Sequence, residues 1–198
     1  MPPPSRSSAP ADPARHAPEP VTEPQRPPDA RDVFRGRLVG VEVWPDRERE
    51  IVRHPGSCAA VALDGTDVLM VRQLRVAVGE RLLEIPAGTR DVAGEDPGAC
   101  ASREVLEETG HRVAGIEPLG WVYASPGFLD ERVDLFLADV EPGQATAAAE
   151  EGIEVVRVGL AEAVRMATHG EIRDAKSVVG ILLAAARRGT PPPGSPGG

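Results

Sequence analysis

The stretch GEDPGACASREVLEETG, residues 94–110, constrains the fold more than any other part of the chain, because it carries its own start, stop and faces. Asp96 suits a helix N-cap, Pro97 the first helical position, and Gly110 the left-handed residue after the last turn. At about 100° per residue, Glu104, Glu107 and Glu108 fall within an arc of about 100° on one face. Ala99, Ser102, Val105, Leu106 and Thr109 fall on the opposite side and suit packing against a sheet. Arg103 stands one turn before Glu107 and can steer its carboxylate. Nothing local favours so much negative charge: Glu104 and Glu108 are a like-charge pair at i,i+4, in the half of the helix where the dipole disfavours anions. Two readings fit. One is a solvated acidic face; the other is a site for a hard divalent cation, Mg²⁺ or Mn²⁺, which takes several carboxylate oxygens. His16, His54, His111 and His169 are scattered and make no imidazole set for zinc.

Around this helix the chain reads as alternating strands and helices. VFRGRLVGVEVW (33–44) alternates as one strand, PDRE turns, and REIVR extends to the break at His54-Pro55-Gly56. SCAAVAL and DVLMVRQ are apolar strands joined at Asp64-Gly65, and RLLEIPAG is another strand. PLGWVYAS, VDLFLADV and IEVVRV follow as strands. LAEAVRMATHG reads as a helix stopped by Gly170, and DAKSVVGILLAAARR as a helix with an apolar face. The order predicts an α/β (α+β) domain, a mixed sheet flanked by helices, over residues 33–188. Residues 1–32, rich in Pro and Ala, and 189–198 offer little to bury and are expected to be disordered arms.

A net charge of −9 argues against nucleic acid as the main ligand but not against a small phosphorylated one held through a metal. No apolar run approaches the ~18 residues of a membrane span, and no secretory apolar segment begins the chain. Cys58 and Cys100 make no disulfide framework or metal signature, which fits a reducing compartment. A cytoplasmic protein is expected. Only one lysine, Lys176, occurs, and genome composition accounts for that.

Gly88, Glu95, Arg103, Glu104, Glu107, Glu108 and Gly110 resemble the Nudix box, G-x5-E-x7-R-E-U-x-E-E-x-G-U with U apolar. There are two departures: six residues rather than five separate Gly88 from Glu95, and His111 stands where an apolar residue is usual. Pro126, sixteen residues after Gly110, and the phrases REIVRHPG, VRQLR, LLEIPAG, EEGIE and GEIRDAKSVVGILLA resemble the family's ADP-ribose pyrophosphatase branch. The resemblance implies a Nudix-type α/β/α sandwich with N-terminal antiparallel strands (33–56) that cross to a second subunit in a homodimer.

It also implies a mechanism. Glu104 and Glu108 bind Mg²⁺ (Mn²⁺ as a substitute), with help from Glu107 and the Ala87 carbonyl; Arg103 orients Glu107, and Glu95 supports the network. Water attacks one phosphorus of ADP-ribose to give AMP and ribose 5-phosphate. The base that activates this water matches Glu150 or Glu151 on a loop before the last strand, and Glu151 is the choice. Glu131 is a weaker candidate for contact with water or metal. Arg49 and Arg75 are the phosphate- or purine-recognising arginines, with Arg37 where some relatives place an aromatic ring, and Glu84 accepts a hydrogen bond from adenine or ribose. Phe128 and Trp121 are expected in the core, and Trp44 in either setting. Other nucleotide sugars or dinucleotides are alternative substrates. A non-catalytic ADP-ribose-binding module is the alternative of another class, against which the complete charged box counts.

Overall fold

The computed structural model of the chain describes residues 26–45, 48–142, 145 and 149–189. Most of the two terminal arms expected from composition therefore lies outside the described residues.

The core is organised by β4 (Ser57–Asp64), whose residues from Ser57 to Leu63 are all buried. Strand residues alternate between faces, so one strand feeds two cores. Ala59, Val61 and Leu63 pack with Leu160, Ala163 and Val164 of α2 (Leu160–Thr168) and Ile181 and Ala184 of α3 (Ala175–Arg188). Cys58, Ala60 and Ala62 pack with Cys100, Ala101 and Val105 of α1 (Pro97–Thr109). Small residues on the second face let α1 approach closely. Burying a side chain such as Val61 contributes about 1.5–3 kcal/mol, and a charge there would lose it and add a desolvation cost.

The large sheet is mixed, as expected. Its main path runs β10 (Glu154–Gly159), β5 (Asp67–Arg75), β4, β9 (Arg132–Val140) and β8 (Val113–Tyr123). The β4–β9 pairing is parallel and the others are antiparallel. β6 (Glu80–Glu84) pairs with β5, and β7 (Ala87–Thr89) pairs with β4. With α1 on one face and α2 and α3 on the other, this is the anticipated α/β/α sandwich. No described helix is long and apolar enough to cross a membrane.

A separate antiparallel sheet of β1 (Arg31–Arg35), β2 (Gly40–Trp44) and β3 (Arg49–Arg53) precedes it. It is fastened to the loop after β8: Val52 N–H donates to the Phe128 carbonyl at 2.7 Å, and Asp130 N–H to the Val52 carbonyl at 3.2 Å.

Four expectations need correction. The single strand over 33–44 is a hairpin, closed by Gly36 N–H on the Val39 carbonyl at 2.8 Å, and its first strand starts at Arg31, inside the expected arm. RLLEIPAG is two strands, because the chain leaves β5 at Glu84 and joins β4 at Ala87. On α1 the buried set includes Ala101, Val105, Glu108 and Thr109, while Ala99 is exposed, so the helix is rolled to bury one glutamate. Finally, Cys58 and Cys100 are joined by a disulfide across the β4–α1 interface, which removes the compartment argument drawn from them.

Candidate active site

The capping residues hold α1 in place. The Asp96 side chain accepts from Gly98 N–H at 2.8 Å and Ala99 N–H at 3.2 Å, and Gly110 ends the helix at φ 75° with its N–H on the Leu106 carbonyl. Each of these contacts satisfies a donor or acceptor that the helix end leaves over.

The helix is thereby presented to β7, the shortest strand. Ala87 N–H donates to Glu108 Oε2 at 3.0 Å. Its neighbour Gly88 lies against the Glu104 carboxylate so closely that a Cβ there would overlap it. Arg103 gathers three carboxylates, with Nη1 on Glu104 at 2.6 Å and on Glu107 at 3.0 Å and Nε on Glu95 at 3.2 Å. Its reach is wider than the single contact with Glu107 expected from spacing.

This corner is short of positive charge. Glu108 is only 5% exposed, and burial pushes its pKa up to about 7; Glu104 adds to the rise, while the Ala87 N–H and the cations Arg75 and Lys176 oppose it. Burial also raises Glu104, despite its bond to Arg103, with Glu107 adding to the rise. Two carboxyls held above their usual range, one turn apart and beside strand backbone, suit a hard cation that accepts only oxygen. Among the described residues no three His, Cys, Asp or Glu side chains are already grouped as a metal cage.

A cavity of about 630 Å³ opens beside this corner, lined by Ala87, Gly88, Glu84, Arg75, Lys176 and Glu131 among others. Glu84 does not offer the open acceptor expected of it. It is 1% exposed, and its oxygens take Arg75 Nε at 2.7 Å, Arg75 Nη2 at 2.6 Å and Lys176 Nζ at 2.5 Å. Burial alone would raise its pKa, but Arg75 and Lys176 hold it below the usual value. On the other side of the cavity, Glu131 is hydrogen-bonded by the Ser57 hydroxyl.

A second recess of about 610 Å³ is lined by Trp44, Arg49, Tyr123, Pro126 and Phe128. Arg49 and Pro126 thus share one recess, while Arg75 and Glu84 share the other. Arg37 sits exposed in the β1–β2 turn and lines neither. Glu150 and Glu151 are exposed, but Glu150 N–H donates to the Glu107 carbonyl at 3.0 Å, tying their loop to the end of α1. Phe128 and Trp121 are half exposed and not in the core; Trp44 is buried.

The NUDIX-domain family model matches residues 52–179. The chain belongs to the NUDIX family. It is 38% identical over 138 residues to the ADP-ribose pyrophosphatase of Bacillus subtilis, covering 68% of this chain and 74% of that protein. It is 34% identical over 152 residues to the GDP-mannose pyrophosphatase of Cronobacter sakazakii, covering 67% of this chain and 78% of that protein. Among solved structures, an ADP compounds hydrolase superposes with a TM-score of 0.66 at 20% identity, covering 82% of this chain and 95% of that one, a likeness of fold.

The two departures from the Nudix box are absorbed locally. The extra residue falls in a turn where Glu95 N–H meets the Val92 carbonyl at 3.2 Å. His111 is buried, its Nδ1 2.9 Å from the Thr109 carbonyl and its Nε2 3.3 Å from Arg157 Nη2, so its polar atoms are satisfied at an apolar position. Sequence reasoning missed Lys176 and Asp174 as cavity-lining residues, and the buried Ser177 that holds Asp174. The signal was present: the chain's only lysine stands in the first turn of a helix, where the dipole disfavours a cation.

Proposed function

We propose that the chain hydrolyses the phosphoanhydride of ADP-ribose to AMP and ribose 5-phosphate with Mg²⁺, which Mn²⁺ replaces. The observation that carries this reading is the convergence of Glu104 and Glu108 on Ala87 and Gly88 at the edge of a cavity whose other wall holds Arg75. Glu104 and Glu108 would hold the cation, with Glu107 and the Ala87 carbonyl assisting. The cation, when bound, neutralises diphosphate oxygens and acidifies water.

The chain's own residues supply the rest. Arg103 orients the Glu104 and Glu107 carboxylates. Arg75 binds a phosphate oxygen, while Arg49, in the recess under Pro126, takes the purine end. In a homodimer Arg37, exposed in the β1–β2 turn, would face the partner's ligand, and the exposed Val33 and Phe34 of the N-terminal sheet support that assembly. Glu151, or Glu150 one residue earlier, takes the proton from the attacking water as the loop closes.

The similarity to a GDP-mannose pyrophosphatase favours a second reading, another nucleoside diphosphate sugar, because the recesses lie outside the box. Assaying ADP-ribose, GDP-mannose and dinucleotides with Mg²⁺ and with Mn²⁺ tests both. The highest kcat/KM is expected for ADP-ribose. A clear preference for another compound overturns the substrate, and no turnover of any compound overturns the reaction.

A further inference from the structure

The cavity's cationic wall is built on the one lysine of the chain. Lys176 Nζ lies 2.5 Å from Glu84 Oε2 and 3.0 Å from Asp174 Oδ2, with its side chain 15% exposed. Asp174 in turn caps α3 through Ser177 N–H at 3.0 Å and accepts from the Ser177 hydroxyl at 2.5 Å, while that hydroxyl accepts Ile85 N–H at 2.8 Å. The start of α3, the end of β6 and the chain leading to β7 are thus locked together around one ammonium.

A purely structural lysine is a poor account of this. A cation in the first turn of a helix opposes the dipole, and its partial burial adds a desolvation cost. Arg75, Lys176, Glu84 and Asp174 sum to zero charge, so the cluster is stable without an external ion, yet its cations keep donors to spare. Arg75 uses Nε and Nη2 on Glu84, leaving Nη1; Lys176 uses two of its three N–H groups, leaving one. Both side chains line the same cavity as Ala87 and Gly88. We propose that Lys176, oriented by Glu84 and Asp174 and paired with Arg75, donates to a phosphate oxygen of the bound nucleoside diphosphate. The inference rests on the reading that this cavity takes such a compound, and it adds a binding residue from α3, outside the box.

Because Lys176 is the only lysine, it can be addressed chemically in the full chain. Pyridoxal 5′-phosphate, a phosphate-bearing aldehyde, followed by borohydride, is expected to label the peptide carrying Lys176, and ADP-ribose or AMP is expected to protect it. No label at Lys176, or a label that saturating ligand leaves unchanged, overturns the proposal. In kinetics, Lys176→Met is expected to raise KM about tenfold or more, the scale of one charge-assisted hydrogen bond, with kcat within about threefold. Lys176→Arg is expected to recover part of the loss, and an unchanged KM in Lys176→Met overturns the proposal. If Lys176→Met does not fold, the labelling of the unaltered chain still decides. Protection without turnover of any diphosphate compound would sink the hydrolase reading and leave the Lys176 site standing; turnover without protection does the reverse.

Discussion

Gly88 and the Glu104 carboxylate occupy adjoining space with no room for a methyl group between them. The obstructed atoms are the far end of a flexible side chain, so Gly88→Ala displaces the carboxylate and not the backbone. The expected outcome is a fold of near-normal stability with turnover lowered about 10- to 100-fold, the usual scale for disturbing a metal ligand's setting. Thermal unfolding together with a Mg²⁺ titration of activity checks it. Wild-type activity in the variant would remove Glu104 from the reaction.

Glu108 makes the metal-free protein sensitive to pH. Its folded pKa of about 7 lies above the ordinary carboxyl value of 4.5, so near pH 6 the folded state holds a proton that the unfolded state has released. Stability contributed by that proton is complete below about 4.5 and is lost as pH rises to about 7, to an extent of up to ~3 kcal/mol. In chelator, Tm is expected to fall across this window and to fall less in Glu108→Gln. Adding Mg²⁺ at pH 8 is expected to raise the wild-type Tm only. Parallel pH profiles for the two proteins would show that Glu108 is not the group responsible.

Glu84 holds two cations from a nearly fully buried position. Glu84→Gln leaves Arg75 without its carboxylate and Lys176 with Asp174 alone, and the expected loss is about 2–4 kcal/mol. Denaturant unfolding measures it. A loss below about 0.5 kcal/mol would mean that water replaces the carboxylate and that the cluster is not an anchor.

What could be read from sequence was whatever is local. The caps of α1, the turn at Asp64-Gly65 and the apolar strand before it depend on near neighbours, and each stands where the residues put it. The reversal at Gly36 went unread because Gly36-Arg37 carries none of the paired turn residues, such as Asn-Gly or Asp-Gly, that mark a hairpin locally. The roll of α1 that buries Glu108 depends on where β7 lies. The Cys58–Cys100 bond spans 42 residues and the Glu84–Lys176 contact 92, and no local pattern encodes either.

The loop before β10 holds two adjacent glutamates, and its backbone is tied to α1 through Glu150 N–H on the Glu107 carbonyl. That tie constrains Glu150 more than Glu151, which lies in the following turn. Glu151→Gln is expected to lower kcat about 100-fold or more with little change in Mg²⁺ affinity, as for loss of a general base. If Glu150→Gln has this effect and Glu151→Gln does not, the base is one residue earlier.

The disulfide ties the helix that bears Glu104 and Glu108 to the strand that orders both cores. Closing a loop of 42 residues removes unfolded-state entropy worth roughly 3–4 kcal/mol. Both sulfurs are fully buried, so a reductant reaches them only when α1 lifts from β4. Dithiothreitol is therefore expected to lower Tm after slow equilibration, and a Cys58→Ala, Cys100→Ala double variant is expected to start at the lower Tm and not respond. Rapid reduction of the native protein, without change in circular dichroism, would mean that the α1–β4 interface opens freely and that the bond contributes little to holding the glutamates in place.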